Sequence, residues 1–229
     1  MIAIIIPAHN EEDCIDACLA SLLKAASHPG LNGEEVQITV VLDACTDMTG
    51  PRVHVAGVKS LVAHARNVGH ARRLGAQSAL AAGARWLAFT DADTVVSASW
   101  LVDQLALKAD AVCGTVAVDN WGAYGQRMQR HFELTYTDKD GHRHVHGANL
   151  GVCAQAYQRA GGFAGLQTGE DVALVESLRQ MGANIAWSCA PRVFTSVRTH
   201  YRAPGGFGET LRNIEQRGEW AGAAQVLAG

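Results

Sequence analysis

Between residues 3 and 118, short apolar runs alternate with longer amphipathic stretches. This alternation constrains the fold more than any other feature of the chain. The apolar runs cover residues 3–7, 37–43, 86–90 and 111–118, with a shorter one at 58–62. Most are four to eight residues long and rich in β-branched side chains, as buried strands are. The first intervening stretch, "EEDCIDACLASLLKAAS", puts Ile15, Cys18, Leu19, Leu22, Leu23 and Ala26 at helical spacing. Residues 67–82 are rich in Ala, Arg and Gln and read as a second helix, and "SASWLVDQLALKA" as a third, with Ser97 as its cap. "ACTDMTGP" reads as a turn. Strands joined by helices run parallel, and the helices cover both sheet faces. The expected architecture is therefore α/β, a mixed, mostly parallel sheet flanked by helices.

After residue 118 the pattern changes. A helix is expected from Trp121, then a loop or hairpin around Asp140–Gly141. "GEDVALVESLRQMG" is an amphipathic helix ended by Gly182, and "NIAWS" and "RVFTS" follow as two short strands. The tail from Thr199 is rich in Gly, Arg and Glu and ends in a helical stretch.

The 229 residues, 48% hydrophobic and 18% charged, suffice for one large domain with a substantial core. Nineteen Lys and Arg stand against 22 Asp and Glu, which disfavours a nucleic-acid or anionic-membrane binder. The six cysteines include no Cys-x-x-Cys pair; they read as reduced thiols, and the expected location is cytoplasmic. "MIAIIIPA" lacks the basic start and long apolar core of a signal peptide. No apolar run reaches the length of a membrane span.

In parallel α/β sheets, ligands bind beyond the carboxyl ends of the strands. After the first strand come Pro7, His9, Asn10, Glu11 and Glu12; after the second, Asp43, Thr46 and Asp47; after the strand at 86–90, Asp91 and Asp93. Three loops thus carry acids and amides to one edge. Two carboxylates as close as Asp91 and Asp93 favour a hard divalent cation such as Mg²⁺ or Mn²⁺. Helix capping would account for one of them at most. Neither G-x-G-x-x-G nor G-x-x-x-x-G-K-[ST] occurs, so a dinucleotide enzyme and a P-loop protein are both disfavoured. "DADTV" also fits the nucleophile motif of haloacid-dehalogenase-type phosphatases, with Asp91 as nucleophile, but that motif normally ends the first strand of its fold.

"IIIPAHNEE", "VVLDACTD", "GHARRLGAQSA", "FTDADT", "GGF" and "GED" occur in this order. In this respect the chain resembles family 2 glycosyltransferases of the GT-A (nucleotide-diphospho-sugar transferase) fold, over roughly residues 2–182. The resemblance implies inverting transfer from a nucleotide-sugar donor, preferably a UDP-sugar, to an acceptor hydroxyl, with Mn²⁺ or Mg²⁺. In "QRGEW", residues 216–220, Glu219 stands where the Q-x-x-R-W motif of processive polymerases has Arg, and no membrane span is expected, so non-processive transfer is expected. The resemblance also implies a nucleotide-binding half at 1–118, an acceptor-binding half at 119–198 and a tail at 199–229 that can act as a lid. Pro7, Ala8 and Glu11, together with Asn10, match the nucleoside loop. Asp43 matches the acid that reads the base, and Arg72 the arginine over the nucleotide. Asp91 and Asp93 match the DxD pair at ribose and metal. Asp171 matches the general base, with Glu170 beside it at the acceptor, and His200 is a candidate third metal ligand. The chain departs from the family pattern in "LDACTD", where only one acid of a usual pair remains, and at Arg73, where Asn is common. A phosphatase or a non-catalytic nucleotide-sugar binder are the alternative functions.

Two features stay ambiguous at this level. Thr168 and Asp171 have the spacing of a capping box, which would give Asp171 a structural reason to be there. "HRHVHGAN", residues 142–149, carries three alternating histidines that would share one face of a strand. No Cys or acid at fitting spacing completes a zinc site, so an acceptor-contacting hairpin including Asn149 is expected.

Overall fold

A computed structural model describes residues 1–197, 207–218 and 220. The described residues form one eight-stranded sheet. The first part runs β1 (Ile2–Ala8), α1 (Ile15–Ala26), β2 (Val36–Asp43), α2 (Thr49–Val55), β3 (Lys59–Ala63), α3 (Val68–Ala81) and β4 (Trp86–Phe89). The second runs β5 (Thr94–Val96), α4 (Trp100–Ala106), β6 (Ala111–Ala117), α5 (Gly125–Thr135), β7 (Leu150–Cys153), α6 (Ala154–Arg159), α7 (Glu170–Gln180), β8 (Ile185–Thr195) and α8 (Phe207–Arg217). The strand order is β3-β2-β1-β4-β7-β6-β8-β5. The first four strands are parallel to one another, whereas β7 runs antiparallel to both β4 and β6. Because β2 and β4 flank β1 on opposite sides, the chain changes direction across the sheet there. Such a switch point opens a crevice at the strands' carboxyl ends.

β1 is buried on both faces, so its period-two alternation feeds two cores. Ile2, Ile4 and Ile6 pack in one cluster with Cys18, Leu19 and Leu22 of α1. Ala3 and Ile5 pack in the other with Ala76 and Ala79 of α3. The small residues of α3 let it press onto the sheet: a Cβ on Gly75 would lie 2.5 Å from Cγ2 of Ile5. Asn67 caps α3, its Oδ1 accepting the His70 N–H at 2.8 Å. That close, capped helix sets the position of Arg72 one turn further on.

The structure differs from the sequence reading in several places. Residues 49–55 form α2 rather than a turn; Pro51 sits in its first turn, where its missing N–H costs nothing. β5, β7 and α6 are additional short elements, too brief for periodicity to show. The two expected strands at 184–188 and 192–196 are one, β8. Ser188 pairs with Gly114 and Val193 with Val116, so Pro191 is absorbed in an irregularity rather than ending the strand. The helix expected at 97–109 starts with Ser99, not Ser97, in the cap position. Of the loop or hairpin expected around Asp140–Gly141, the loop is the one that forms. Among the described residues no helix is long and apolar enough to cross a membrane.

Asn149 is a correction to the expected acceptor contact. Its side-chain amide lies in the core, donating to the Thr115 and Pro191 carbonyls at 2.7 Å each and accepting Trp100 Nε1–H at 2.9 Å. With these three bonds made and 1% of the residue exposed, it ties β6, β8 and α4 together and has no surface for a ligand. Replacing Asn149 with Ala would leave three buried polar groups unpaired. Asn149→Ala is expected to lose about 3 kcal/mol of stability in urea unfolding, at about 1 kcal/mol per group; an unchanged midpoint would contradict this role.

Candidate active site

The loops after β1, β2 and β4 meet at the switch point and line a cleft of about 790 Å³ with α3, the turn before β7 and the start of α7. Two of these loops are laced together. Asn10 Oδ1 accepts the Thr46 N–H at 2.7 Å, Asp47 accepts from the Glu12 N–H at 3.1 Å, and Glu12 accepts from the Met48 N–H at 3.0 Å. Asn10, Ala44 and Arg66 all adopt left-handed backbone, with φ of 56°, 52° and 47°. Non-glycine residues reach that region only when surrounding bonds hold them there.

Asp43, 4% exposed, holds the next loop. Its Oδ1 accepts from the Ala65 and Arg66 N–H groups at 2.7 and 2.9 Å, and Oδ2 accepts from Asn67 at 2.8 Å. A carboxylate has about four lone-pair positions, so one on Oδ2 remains for a ligand.

Arg72 stands at the centre. It is 3% exposed, and Nη2 donates to Asp91 Oδ1 at 2.5 Å while Nη1 pairs with Glu170. Burial works against its charge, yet Asp91, Glu170 and Asp171 together hold it above its ordinary pKa. Gly147 makes room for the guanidinium: a Cβ there would lie 2.3 Å from Nη2. Burial raises Glu170 above the ordinary carboxylate range, and Arg72 only partly offsets this, with Asp171 adding to the rise.

Asp171 follows Glu170 in the first turn of α7. Its Oδ2 accepts the Gly147 N–H and its Oδ1 the Val172 N–H, each at 2.8 Å. The capping box does not form, because the cap of α7 is Gly169, at φ 72°, without a side-chain bond. Asp171 is therefore held by the turn before β7 rather than by capping its own helix.

Pro7, Ala8, Glu11, Asp43, Arg72, Asp91, Asp93, Glu170 and Asp171, all expected from sequence, line the cleft together. Asn10 does not; it shapes the loop beside it. His200 lies outside the described residues, as do the other first residues of the tail expected as a lid. The sequence left unassigned the wall formed by α5 and α8, including Phe132, Tyr136, Leu211 and Ile214. Helical periodicity marks these residues only as apolar face, not as lining.

Asp91 and Asp93 offer carboxylate oxygens across one turn, and both line the cleft. Among the described residues no group of three or more His, Cys, Asp or Glu is placed to hold a metal. A pair of carboxylates nevertheless suits Mg²⁺ or Mn²⁺, which take one or two protein carboxylates and complete their shell with substrate phosphates and water.

The sequence profile described as "Glycosyl transferase family 2" matches residues 3–160, and the chain belongs to this family. The sheet order and flanking helices match GT-A glycosyltransferase structures. S. aureus TarS 1-349 in complex with UDP-GlcNAc superposes with a TM-score of 0.66 at 16% identity, over 93% of this chain and 64% of that one. The mannosyltransferase PcManGT from Pyrobaculum calidifontis, in complex with GDP-Man and Mn²⁺, gives 0.66 at 17% identity, over 87% and 57%. Glucosyl-3-phosphoglycerate synthase of M. tuberculosis gives 0.60 at 17% identity, over 88% and 73%. The chain thus spans less than two thirds of the first two. No curated protein matches the sequence. Family membership sets aside the phosphatase alternative, as does the place of Asp91 after β4 rather than β1.

Removing Arg72 leaves Glu170 buried without its cation. Glu170 already has a folded-state pKa above its unfolded value, so its contribution to stability is greatest at low pH and falls as pH rises through the folded value. Loss of Arg72 raises that value further. Arg72→Met is therefore expected to be destabilised by about 3 kcal/mol or more at pH 8, with the deficit shrinking towards pH 4.5 as Glu170 takes up a proton. Urea unfolding across that range reads the effect, and a deficit independent of pH would refute it.

Proposed function

We propose that this glycosyltransferase moves a sugar with inversion from a nucleotide-diphosphate donor, a UDP-sugar by preference, to an acceptor hydroxyl, with a divalent metal. One observation carries the reading: Asp91, Asp93, Glu170 and Asp171 line one cleft around a single buried guanidinium, Arg72. That excess of negative charge repels a bare diphosphate and calls for a cation between the two. The cleft volume of about 790 Å³ falls in the range of small-molecule sites. The UDP-GlcNAc in TarS and the GDP-Man and Mn²⁺ in PcManGT support a nucleotide sugar and a metal.

In this reading the nucleoside lies against Pro7, Ala8 and Glu11, with the remaining lone pair of Asp43 Oδ2 turned to the base. Asp93 and Asp91 would hold the Mn²⁺ or Mg²⁺, which when bound neutralises the leaving diphosphate. Asp171 takes the proton from the acceptor hydroxyl. The hydroxyl oxygen bonds to the anomeric carbon from the face opposite the diphosphate, as the carbon–diphosphate bond breaks. Attack from that side inverts the anomeric centre. Glu170, bound to Arg72, fixes the acceptor side of Asp91. The halves at 1–118 and 119–198 then serve donor and acceptor. The six free cysteines favour a reducing, cytoplasmic location.

Calorimetric titration with UDP is expected to show binding that requires Mn²⁺ and weakens at least about tenfold in Asp93→Asn. Asp171→Asn is expected to lower transfer by about 10²- to 10⁴-fold while UDP affinity stays within about twofold, because the base touches only the acceptor. Absence of metal-dependent binding to any nucleoside diphosphate would overturn the reading. Equal loss of affinity and transfer in Asp171→Asn would remove Asp171 from the role of base.

A further inference from the structure

The three alternating histidines have no part in the transfer described above, yet two of them, His144 and His146, line the same cleft. They do not lie on a strand. Their loop nevertheless stacks the rings: His142 on His144 at 5.5 Å and His144 on His146 at 5.8 Å between centroids. Tyr136 stacks on His144 at 4.1 Å, and Phe132 on Tyr136 at 4.4 Å. Tyr136 is thus clamped between two rings, and its hydroxyl has a fixed position.

That hydroxyl has two partners. It accepts the Val116 N–H at 2.9 Å, and it lies 2.9 Å from His146 Nε2. Its own proton has to go somewhere, and His146 Nε2 is the acceptor in reach. Were Nε2 to carry the proton instead, the half-buried hydroxyl would keep a hydrogen without an acceptor, at a cost of about 1–3 kcal/mol. Nε2 is therefore the bare nitrogen, and Nδ1 carries the hydrogen. Burial and the neighbouring His144 also keep the ring neutral, holding its pKa down at about 4 against the pull of Asp171.

His146 immediately precedes Gly147, whose N–H holds Asp171 Oδ2 at 2.8 Å. The imidazole and the carboxylate are thus one peptide unit apart at the wall of one cleft. Among the described residues no hydrogen-bond partner faces Nδ1. Resting on the glycosyl-transfer reading, we propose that His146 binds the acceptor: Tyr136 fixes it as the Nδ1–H tautomer, and Nδ1–H donates to an acceptor oxygen beside the hydroxyl that gives its proton to Asp171. The substrate class this selects is a sugar or other polyol, with a second oxygen next to the attacking one. A simple alcohol leaves Nδ1–H without a partner. Tyr136 is the positioning residue, acting through His146.

Histidine-selective ¹⁵N spectra of the full chain test this, with methyl α-glucopyranoside as the polyol probe. The expected result is a proton on His146 Nδ1, a bare Nε2, and an Nδ1–H resonance that moves on addition of the probe. Tyr136→Phe keeps the ring stack but is expected to bring back the Nε2–H tautomer and to weaken probe binding about tenfold, the equivalent of one hydrogen bond. His146→Asn, whose amide nitrogen stands where Nδ1 stood, is expected to keep probe affinity within about threefold, whereas His146→Ala loses about tenfold. A proton on Nε2 in the unaltered chain, or an Nδ1–H line indifferent to the probe, overturns the proposal. Affinity for nucleoside diphosphates with Mn²⁺, measured on the same sample, separates the two readings. Binding of none of them overturns glycosyl transfer itself, while nucleotide binding beside an inert His146 overturns only the acceptor assignment.

Discussion

A buried guanidinium with carboxylates on two sides can be tolerated only if every partner is held in place, because any one of them left alone in the core would be an uncompensated charge. Arg72 is in that position, between Asp91 from the end of β4 and Glu170 from the start of α7. The contact ties α3, the end of β4 and the start of α7 into one unit. It also explains local choices of sequence. Gly69 and Gly75 let α3 lie close to the loop before α7 and to the sheet, and Gly147 leaves the space the guanidinium fills.

Around this pair the walls of the cleft are braced mainly by backbone N–H groups. Three of them hold Asp43, and two, from Gly147 and Val172, hold Asp171. Such donors add no charge, so the acids keep their net negative field towards the cleft. Next to Asp171 the ladder from Phe132 through Tyr136 to His144 and His146 uses stacked rings in the same way. It gives a surface on which burial holds His144 and His146 below the usual histidine pKa, beside an acidic one. Acidic and hydrogen-bonding aromatic surfaces thus meet in one cleft.

Much of the strand-end lining of the cleft was legible in the sequence. The carboxyl ends of parallel strands have to converge, so Pro7, Glu11, Asp43, Asp91 and Asp93 could be assembled without coordinates. The lining contributed after residue 118 was less legible, because it is built from loops and short helices whose partners are distant in sequence. Asn149 shows the difficulty: its position beside the histidines suggested a ligand contact, yet its amide is consumed by Thr115, Pro191 and Trp100. Thr168 and Asp171 had the spacing of a capping box, but Gly169 took the cap position and left Asp171 to Gly147.

The sequence by itself determined the layering and the edge. Alternating apolar runs and amphipathic stretches have one economical solution, a sheet with helices on both faces, and that solution brings the strand-end acids together. Tertiary structure alone decided which acids are free and which are spoken for. Pairing of Arg72 with Asp91 and Glu170 spans 19 and 98 residues of chain, and the bond between Tyr136 and His146 depends on the path of an irregular loop. Local pattern carries no information about such contacts, because they are fixed by how separate elements pack rather than by the period of any one of them.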